Sequence, residues 1–312
     1  MNFRLQSLLF VAALAISLGL ARVARIDSGG FRVIKPKSAV QTPPVSLYSA
    51  SISETTPTVK TALTRDWSVL DPKISGEAVL VQLLDENFPL YHYNTYAAWK
   101  TASLLKLLSS AVVIENLSPG ENILITERAV AEEESAGDLK SGEMYTTEDL
   151  LKIMLLASSN DAAAAFEDRL GGRDEFTRLL NKKAKEIGMS RSLFYDGSGL
   201  SDLDLSTAGD LSRLVRYILL RHPKIFQWTQ TPSFLVQPVN GTENRIVKNI
   251  NPLVKNSDFL GGKTGTSPNA KENLIAIFSL NGKRVLLILL GSRNRFNEAN
   301  MLLKWVKEAY HL

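Results

Sequence analysis

Lys100-Thr101-Ala102-Ser103-Leu104-Leu105-Lys106 sets a hydroxyl and an amine three residues apart at the head of a long apolar run: Leu107, Leu108, Ala111, Val112, Val113 and Ile114. At that spacing on a helix, two side chains share one face. The apolar run predicts that this helix is buried. A buried lysine loses hydration, its pKa falls, and it can take a proton at neutral pH. A serine beside such a base becomes a nucleophile. The spacing alone is common, and an N-cap serine ahead of a surface lysine reads the same way. The rest of the chain separates the two.

Upstream of this stretch, Ala78-Val79-Leu80-Val81-Gln82-Leu83-Leu84 predicts a strand, Asp85-Glu86-Asn87 a turn, and Pro89 to Tyr93 a second strand. Downstream come a short strand at Ile123-Leu124-Ile125 and an acidic loop, Glu132 to Gly137, which also reads as plain solvated surface. Thr146-Thr147-Glu148-Asp149 opens a helix with a capping signature. That helix runs to Ala157-Ser158-Ser159-Asn160-Asp161, where hydroxyls and an amide stand between two apolar helices and are costly to bury without partners. A helix-to-helix turn with a local cap is the simpler reading of that segment. Helices follow at Glu175–Ile187 and Thr207–Leu220, separated by the loop Phe194 to Leu200. The chain then returns to β structure. Gly261-Gly262-Lys263-Thr264-Gly265-Thr266 precedes strands at Leu274–Phe278 and Val285–Leu290, joined by an Asn281-Gly282 hairpin turn. A final helix is expected over Asn297–Tyr310. Strands at both ends with helices between predict an α+β fold, one antiparallel sheet built from both chain ends with a helical insert.

Composition narrows the chemistry. The chain has 312 residues and no cysteine, so disulfides and thiolate metal sites are excluded. Its net charge of +4 is concentrated in residues 1–65, which carry eight basic residues against two acidic ones. Residues 66–312 are slightly acidic, and the basic balance is no argument for a nucleic-acid partner. Arg4 precedes the apolar run Leu8 to Leu20, a charged n-region followed by an h-region. Residues 1–26 therefore read as an export signal, either a cleaved signal peptide or an anchor holding the membrane through residues 5–21. Residues 27–65, rich in Ser, Thr and Pro, read as a flexible tether. No internal repeat is found. Only His92, His222 and His311 are present, none beside a nucleophile motif and no two at ligand spacing. A Ser-His-Asp triad and a zinc site are thus not expected, and a lysine base remains.

Three stations occur in order: Ser103-x-x-Lys106 on a helix, Ser158-x-Asn160 in a loop, and Lys263-Thr264-Gly265 on a strand. Leu139-Lys140-Ser141-Gly142-Glu143, Asn160-Asp161-Ala162-Ala163, Asn181 to Met189, Ser198-Gly199-Leu200 and Asn249 to Leu253 accompany them. On these segments, residues 66–312 resemble the serine D-alanyl-D-alanine carboxypeptidases, the low-mass penicillin-binding proteins. The resemblance implies a β-lactamase/transpeptidase-like fold: an antiparallel sheet flanked by helices, plus an all-helical lobe, with the cleft between. It implies that Ser103 attacks the carbonyl of the penultimate D-alanine and that Lys106 takes its proton. Ser158 would relay a proton toward the leaving amine, and Asn160 would orient Lys106 and the substrate amide. Lys263 would keep the cleft positive and draw in the terminal carboxylate, with Thr264 and Thr266 donating hydroxyls to it. Backbone N–H groups of Ser103 and Thr266 would form the oxyanion hole, and Gly265 would let the strand lie close to a bound peptide. No cofactor and no metal is implied.

The implied partners are peptidoglycan stem peptides ending in D-Ala-D-Ala, with β-lactams as covalent inhibitors. The implied location is outside the cytoplasmic membrane, in the cell wall or periplasm. Thr101 stands where the family commonly has proline, which touches the start of the helix and not the chemistry. Relatives often carry a carboxy-terminal amphipathic anchor; here the chain stops after Trp305 to Tyr310, so a tether is expected from residues 5–21. A D,D-endopeptidase would use the same residues. A β-lactamase would add a Glu-x-x-Leu-Asn water-activating station, and Glu175 to Asn181 has the wrong spacing for it. A non-catalytic wall-binding module would tolerate the loss of a motif residue, and none is lost.

Overall fold

Ala78–Leu83 is buried along its whole length, which is why it reads as an apolar run broken only by Gln82 rather than as an alternating one. The computed structural model describes residues 63–134 and 136–312; the leader and most of the tether expected over 1–26 and 27–65 lie outside the described residues. In chain order the main strands are β1 (Ala78–Leu83), β2 (Phe88–Tyr93), β3 (Phe259–Ser267), β4 (Lys271–Leu280) and β5 (Lys283–Ser292). They form one antiparallel sheet in the order β3-β4-β5-β1-β2. Two hairpins from opposite ends of the chain are thus joined by the β5–β1 pair, with Leu287 opposite Val81 and Leu289 opposite Val79. Asn281 and Gly282, between β4 and β5, both have positive φ, 50° and 78°, as a type I′ hairpin demands.

The main helices among the described residues are α1 (Lys106–Asn116), α2 (Thr147–Leu156), α3 (Asn160–Arg169), α4 (Arg173–Glu186), α5 (Ala208–Arg221), α6 (Lys224–Thr229) and α7 (Arg295–Ala309). Alternation along the strands sorts the core into two layers. Val79, Val81, Leu83, Leu287 and Leu289 face Leu302, Trp305 and Val306 of α7. Leu80, Ile275, Ile277, Leu286 and Ile288 face the other way, toward α1, α5 and the helical lobe. The sequence predicts helix starts well because side chains cap them: Thr146 accepts from Asp149 N, Ser159 from Ala162 N, Thr207 from Asp210 N and Asn294 from Asn297 N.

Two features differ from expectation. Ser103 is not on α1 itself but on a 3-10 turn, Ala102–Leu105, that leads into it. A further hairpin, Ser233–Val236 with Arg245–Lys248, follows α6 in a segment for which the sequence suggested no elements. Among the described residues no helix is long and apolar enough to cross a membrane.

Candidate active site

The Ser103 turn is held by hydrogen bonds from two distant segments. Thr101 N donates to Asp204 O at 2.9 Å. Asn273 of β4 donates its amide to Lys100 O at 2.8 Å and Thr101 O at 3.1 Å, while its Oδ1 accepts from Gly291 N. Ala102 is left-handed, φ 46°, a conformation that costs a side-chain-bearing residue on the order of 1–3 kcal/mol. It persists because its neighbours leave no alternative. A Cβ on Gly199 would overlap the Ala102 carbonyl, and one on Gly265 would sit 2.9 Å from Thr101 O and 3.1 Å from Ser103 N. The close approach that Gly265 permits is therefore to the Ser103 turn, not only to the open side of β3.

Lys106, the first residue of α1, is fully buried. Its Nζ lies 2.9 Å from Ser103 Oγ, 2.7 Å from Asn160 Oδ1 and 2.7 Å from Ser198 O. Two of these partners only accept. A neutral amine has two N–H donors and one lone pair, so it satisfies both acceptors and turns the lone pair to the Ser103 hydroxyl. Burial pushes the Lys106 pKa down to about 7, against smaller upward pulls from Asp196, Glu134 and Asp204. The amine is then substantially neutral near pH 7, as a base must be.

Ser158 sits between α2 and α3 with φ 61°, and Ser159 supplies the expected local cap. Lys263 Nζ donates to Ser158 Oγ at 2.7 Å and to Thr264 O at 2.8 Å. Asn160 opens α3; its Nδ2 donates to Glu133 O at 2.9 Å and to Glu134 O at 3.3 Å, which orients its carbonyl toward Lys106. The acidic loop thus contributes backbone to the site and is not mere surface. Thr264 and Thr266 lie on β3 opposite Leu274 and Glu272; Thr264 is buried and Thr266 exposed. Ser103, Lys106, Ser158, Asn160 and Lys263 are therefore linked by hydrogen bonds in two lysine–serine pairs, with Thr264, Gly265 and Thr266 alongside on β3.

The resemblance implies a charged Lys263 that keeps the cleft positive. Instead β3 packs against the Ser103 turn and α6, and Lys263 is only 2 % exposed. Burial first, then Lys106 and Arg295, hold its pKa well below the usual lysine range.

Four supporting residues carry no local signal in the sequence. Asp196 accepts from Ser198 N, Gly199 N and Ser201 N, each at 2.6 Å. Burial raises its pKa, but these donors outweigh it and the net shift is downward. Asp204 Oδ1 accepts from Tyr195 N at 2.6 Å. Its Oδ2 is buried and finds no donor among the described residues, and it lies against the Asp196 carboxyl. Burial and the Asp196 charge push Asp204 up to about 8; with its own proton it becomes the donor this pair lacks. Glu167, 2 % exposed, accepts from Gly197 N at 2.8 Å, and Ser109 of α1 donates to Gly197 O at 2.6 Å. The loop that supplies Ser198 O to Lys106 is thus fixed along its length. Among the described residues no cluster could hold a metal ion.

Residues 68–294 match the family described as D-alanyl-D-alanine carboxypeptidase. The chain belongs to that family. It is 27 % identical over 246 residues to a D-alanyl-D-alanine endopeptidase of Pseudomonas aeruginosa, covering 76 % of this chain and 79 % of the relative. The D-alanyl-D-alanine carboxypeptidase of Mycobacterium tuberculosis H37Rv has the same fold, with TM-score 0.71 at 26 % identity over 78 % of this chain and 94 % of that one. Penicillin-binding protein D2 of Listeria monocytogenes, solved in a cefotaxime-bound form, gives TM-score 0.67 at 28 % identity over 76 % and 98 %. The β-lactamase/transpeptidase-like reading of the sequence therefore holds, and the chain is a hydrolase of the carboxypeptidase family.

Proposed function

We propose that this hydrolase removes the terminal D-alanine of peptidoglycan stem peptides through an acyl-enzyme on Ser103. The observation that carries the reading is the threefold environment of Lys106 Nζ, with two acceptors and the Ser103 hydroxyl. The Ser103 proton passes to Lys106 as Oγ attacks the carbonyl of the penultimate D-alanine. Ser103 N–H and Thr266 N–H receive the developing oxyanion. Ser158 gives its proton to the leaving amine and is held for this by Lys263. Lys263, Thr264 and Thr266 take the terminal carboxylate. That carboxylate supplies the counter-charge Lys263 lacks in the free cleft, and the ammonium form is then favoured. Water resolves the ester by the same route in reverse. Ser103→Ala should abolish both D-alanine release and covalent labelling by benzylpenicillin, read by mass, while the thermal unfolding profile is kept. An adduct that persists and maps to Ser158 overturns the assignment.

β-Lactams fit the same chemistry, because the acyl-enzyme that they form cannot release its leaving amine. The endopeptidase name of the Pseudomonas aeruginosa relative supports a second activity, cleavage of D,D cross-links by the same residues. Parallel assays on a pentapeptide and on a cross-linked muropeptide dimer separate the two. Arg4 and the apolar run after it support export, with residues 1–26 as signal or anchor, 27–65 as tether and 66–312 as the catalytic domain working at the wall. A reporter fused after Pro57 that is active only in the cytoplasm rules this out.

A further inference from the structure

Arg295 is the first residue of α7 and lies outside all three motif stations. Its Nη1 donates to Gly265 O at 2.6 Å and to Asn273 O at 3.1 Å. The side chain is 13 % exposed, and Glu272 Oε2 approaches its Nε at 3.8 Å. Glu272 Oε2 also accepts from Arg295 N at 2.9 Å, which fixes the start of the helix. Burial lowers the Arg295 pKa and Glu272 opposes the shift; a guanidinium in such a site still keeps its proton.

Gly265 C=O and Thr266 N–H belong to one peptide group. Among the described residues no peptide is cis, so this N–H points opposite to its C=O. The carbonyl points to Arg295, and a Cβ on Gly265 would sit 3.1 Å from Ser103 N, so the strand runs close to the Ser103 turn. A full positive charge bonded to the carbonyl oxygen draws electron density along the amide and makes the N–H a stronger donor. We propose that Arg295 is a positioning residue of the acylation step: bonded to Gly265 O, it polarises the Gly265–Thr266 peptide and strengthens Thr266 N–H as an oxyanion donor. This rests on the assignment of Thr266 N–H to the oxyanion hole. Among the described residues the guanidinium donates to Gly265 O and Asn273 O and makes no hydrogen bond to Ser103 or Lys106.

The test acylates the full-length chain with benzylpenicillin labelled with carbon-13 at the lactam carbonyl. It compares wild type with Arg295→Lys, Arg295→Gln and Arg295→Met. Stopped-flow separates non-covalent affinity from the first-order acylation constant. Infrared difference spectra give the stretching frequency of the acyl carbonyl, which falls as its hydrogen bonds strengthen. Removing one oxyanion donor costs about 100- to 1,000-fold, and here a donor is only weakened, so Arg295→Met should lose about 3- to 30-fold in acylation. Non-covalent affinity should stay unchanged. The carbonyl frequency should rise in the order wild type, Lys, Gln, Met. Arg295 also depresses Lys263; that effect moves the pH profile and not the carbonyl band. A wild-type frequency in Arg295→Met, or a loss confined to non-covalent affinity, overturns the proposal. A wild-type band no lower than that of the free ester in water overturns the oxyanion-hole assignment itself. If Arg295→Met does not fold, Lys against Gln decides: equal frequencies in the two refute polarisation by charge.

Discussion

Lys263 Nζ donates to Ser158 Oγ at 2.7 Å, and Lys106 Nζ stands 2.9 Å from Ser103 Oγ. The cleft thus holds two pairs, each a buried lysine on a half-buried serine, and the Lys106 charge lowers the Lys263 pKa. Two ammonium groups in one desolvated cleft repel each other, so a bound anion is needed before Lys263 takes its full charge. In Ser103→Ala protein, binding of a D-Ala-D-Ala peptide near pH 7 should therefore take up a fraction of a proton. Calorimetry in buffers of different ionisation enthalpy measures it. The uptake should vanish in Lys263→Met; no uptake in Ser103→Ala alone refutes the coupling.

Lys106 makes the rate depend on pH in one direction. Its base form is the neutral one, present above about 7. Penicillin acylation should rise with pH through that value, and Lys106→Arg should not acylate, since guanidinium keeps its proton. The same shift sets stability. The folded pKa lies below the unfolded value of 10.5, so between the two the unfolded chain binds more protons and stability grows with pH. Lys106→Met should accordingly be inactive yet unfold about 2–8 °C higher than wild type at pH 7. A lower melting temperature contradicts the burial argument.

Gly199 has φ 87°, and a Cβ there overlaps the Ala102 carbonyl. Gly199→Ala combines left-handed strain with that overlap and should destabilise the fold by about 2–4 kcal/mol. Because the displaced atoms adjoin Ser103, acylation should fall further than the folded fraction explains. Urea unfolding and active-site titration on the same sample provide the comparison.

Asp204 carries the opposite sign. It is an acid whose folded pKa, about 8, exceeds its ordinary value of 3.8. Between those values the folded chain holds a proton that the unfolded chain releases, so stability falls as pH rises across the window. An asparagine at 204 supplies the same donor without titrating. Asp204→Asn should flatten this loss between pH 4 and pH 8 and equal or exceed wild-type stability at pH 8. Asp196→Asn, which gives up a carboxylate accepting several backbone N–H groups, should destabilise throughout. Melting temperatures across the range distinguish the two.

What the sequence revealed of the site was what lies close in sequence or belongs to a known spacing. Ser103 and Lys106 share one turn, and Lys263-Thr264-Gly265 is contiguous. Long apolar strands and capped helices were legible for the same local reason. Asp204 and Asn273 act on Lys100 and Thr101 from more than a hundred residues away, and no period in the chain encodes such contacts. Asn273 did leave a trace, a lone amide beside the apolar run Leu274 to Phe278. The burial of Lys263 was not legible, because the Ser103 turn and α6 that cover β3 are distant from it in sequence.

The pairing of β5 with β1 joins residues about two hundred positions apart. Local helices can form early, but contacts of this range wait on loop closure and slow folding. Until Lys283–Ser292 has been synthesised, Ala78–Leu83 has an unpaired edge, and its face toward α7 stays uncovered until Arg295–Ala309 follows, a state open to aggregation. Asn273 and Lys263 arrive equally late. The Ser103 turn therefore acquires its geometry only after residues more than 150 positions downstream have emerged.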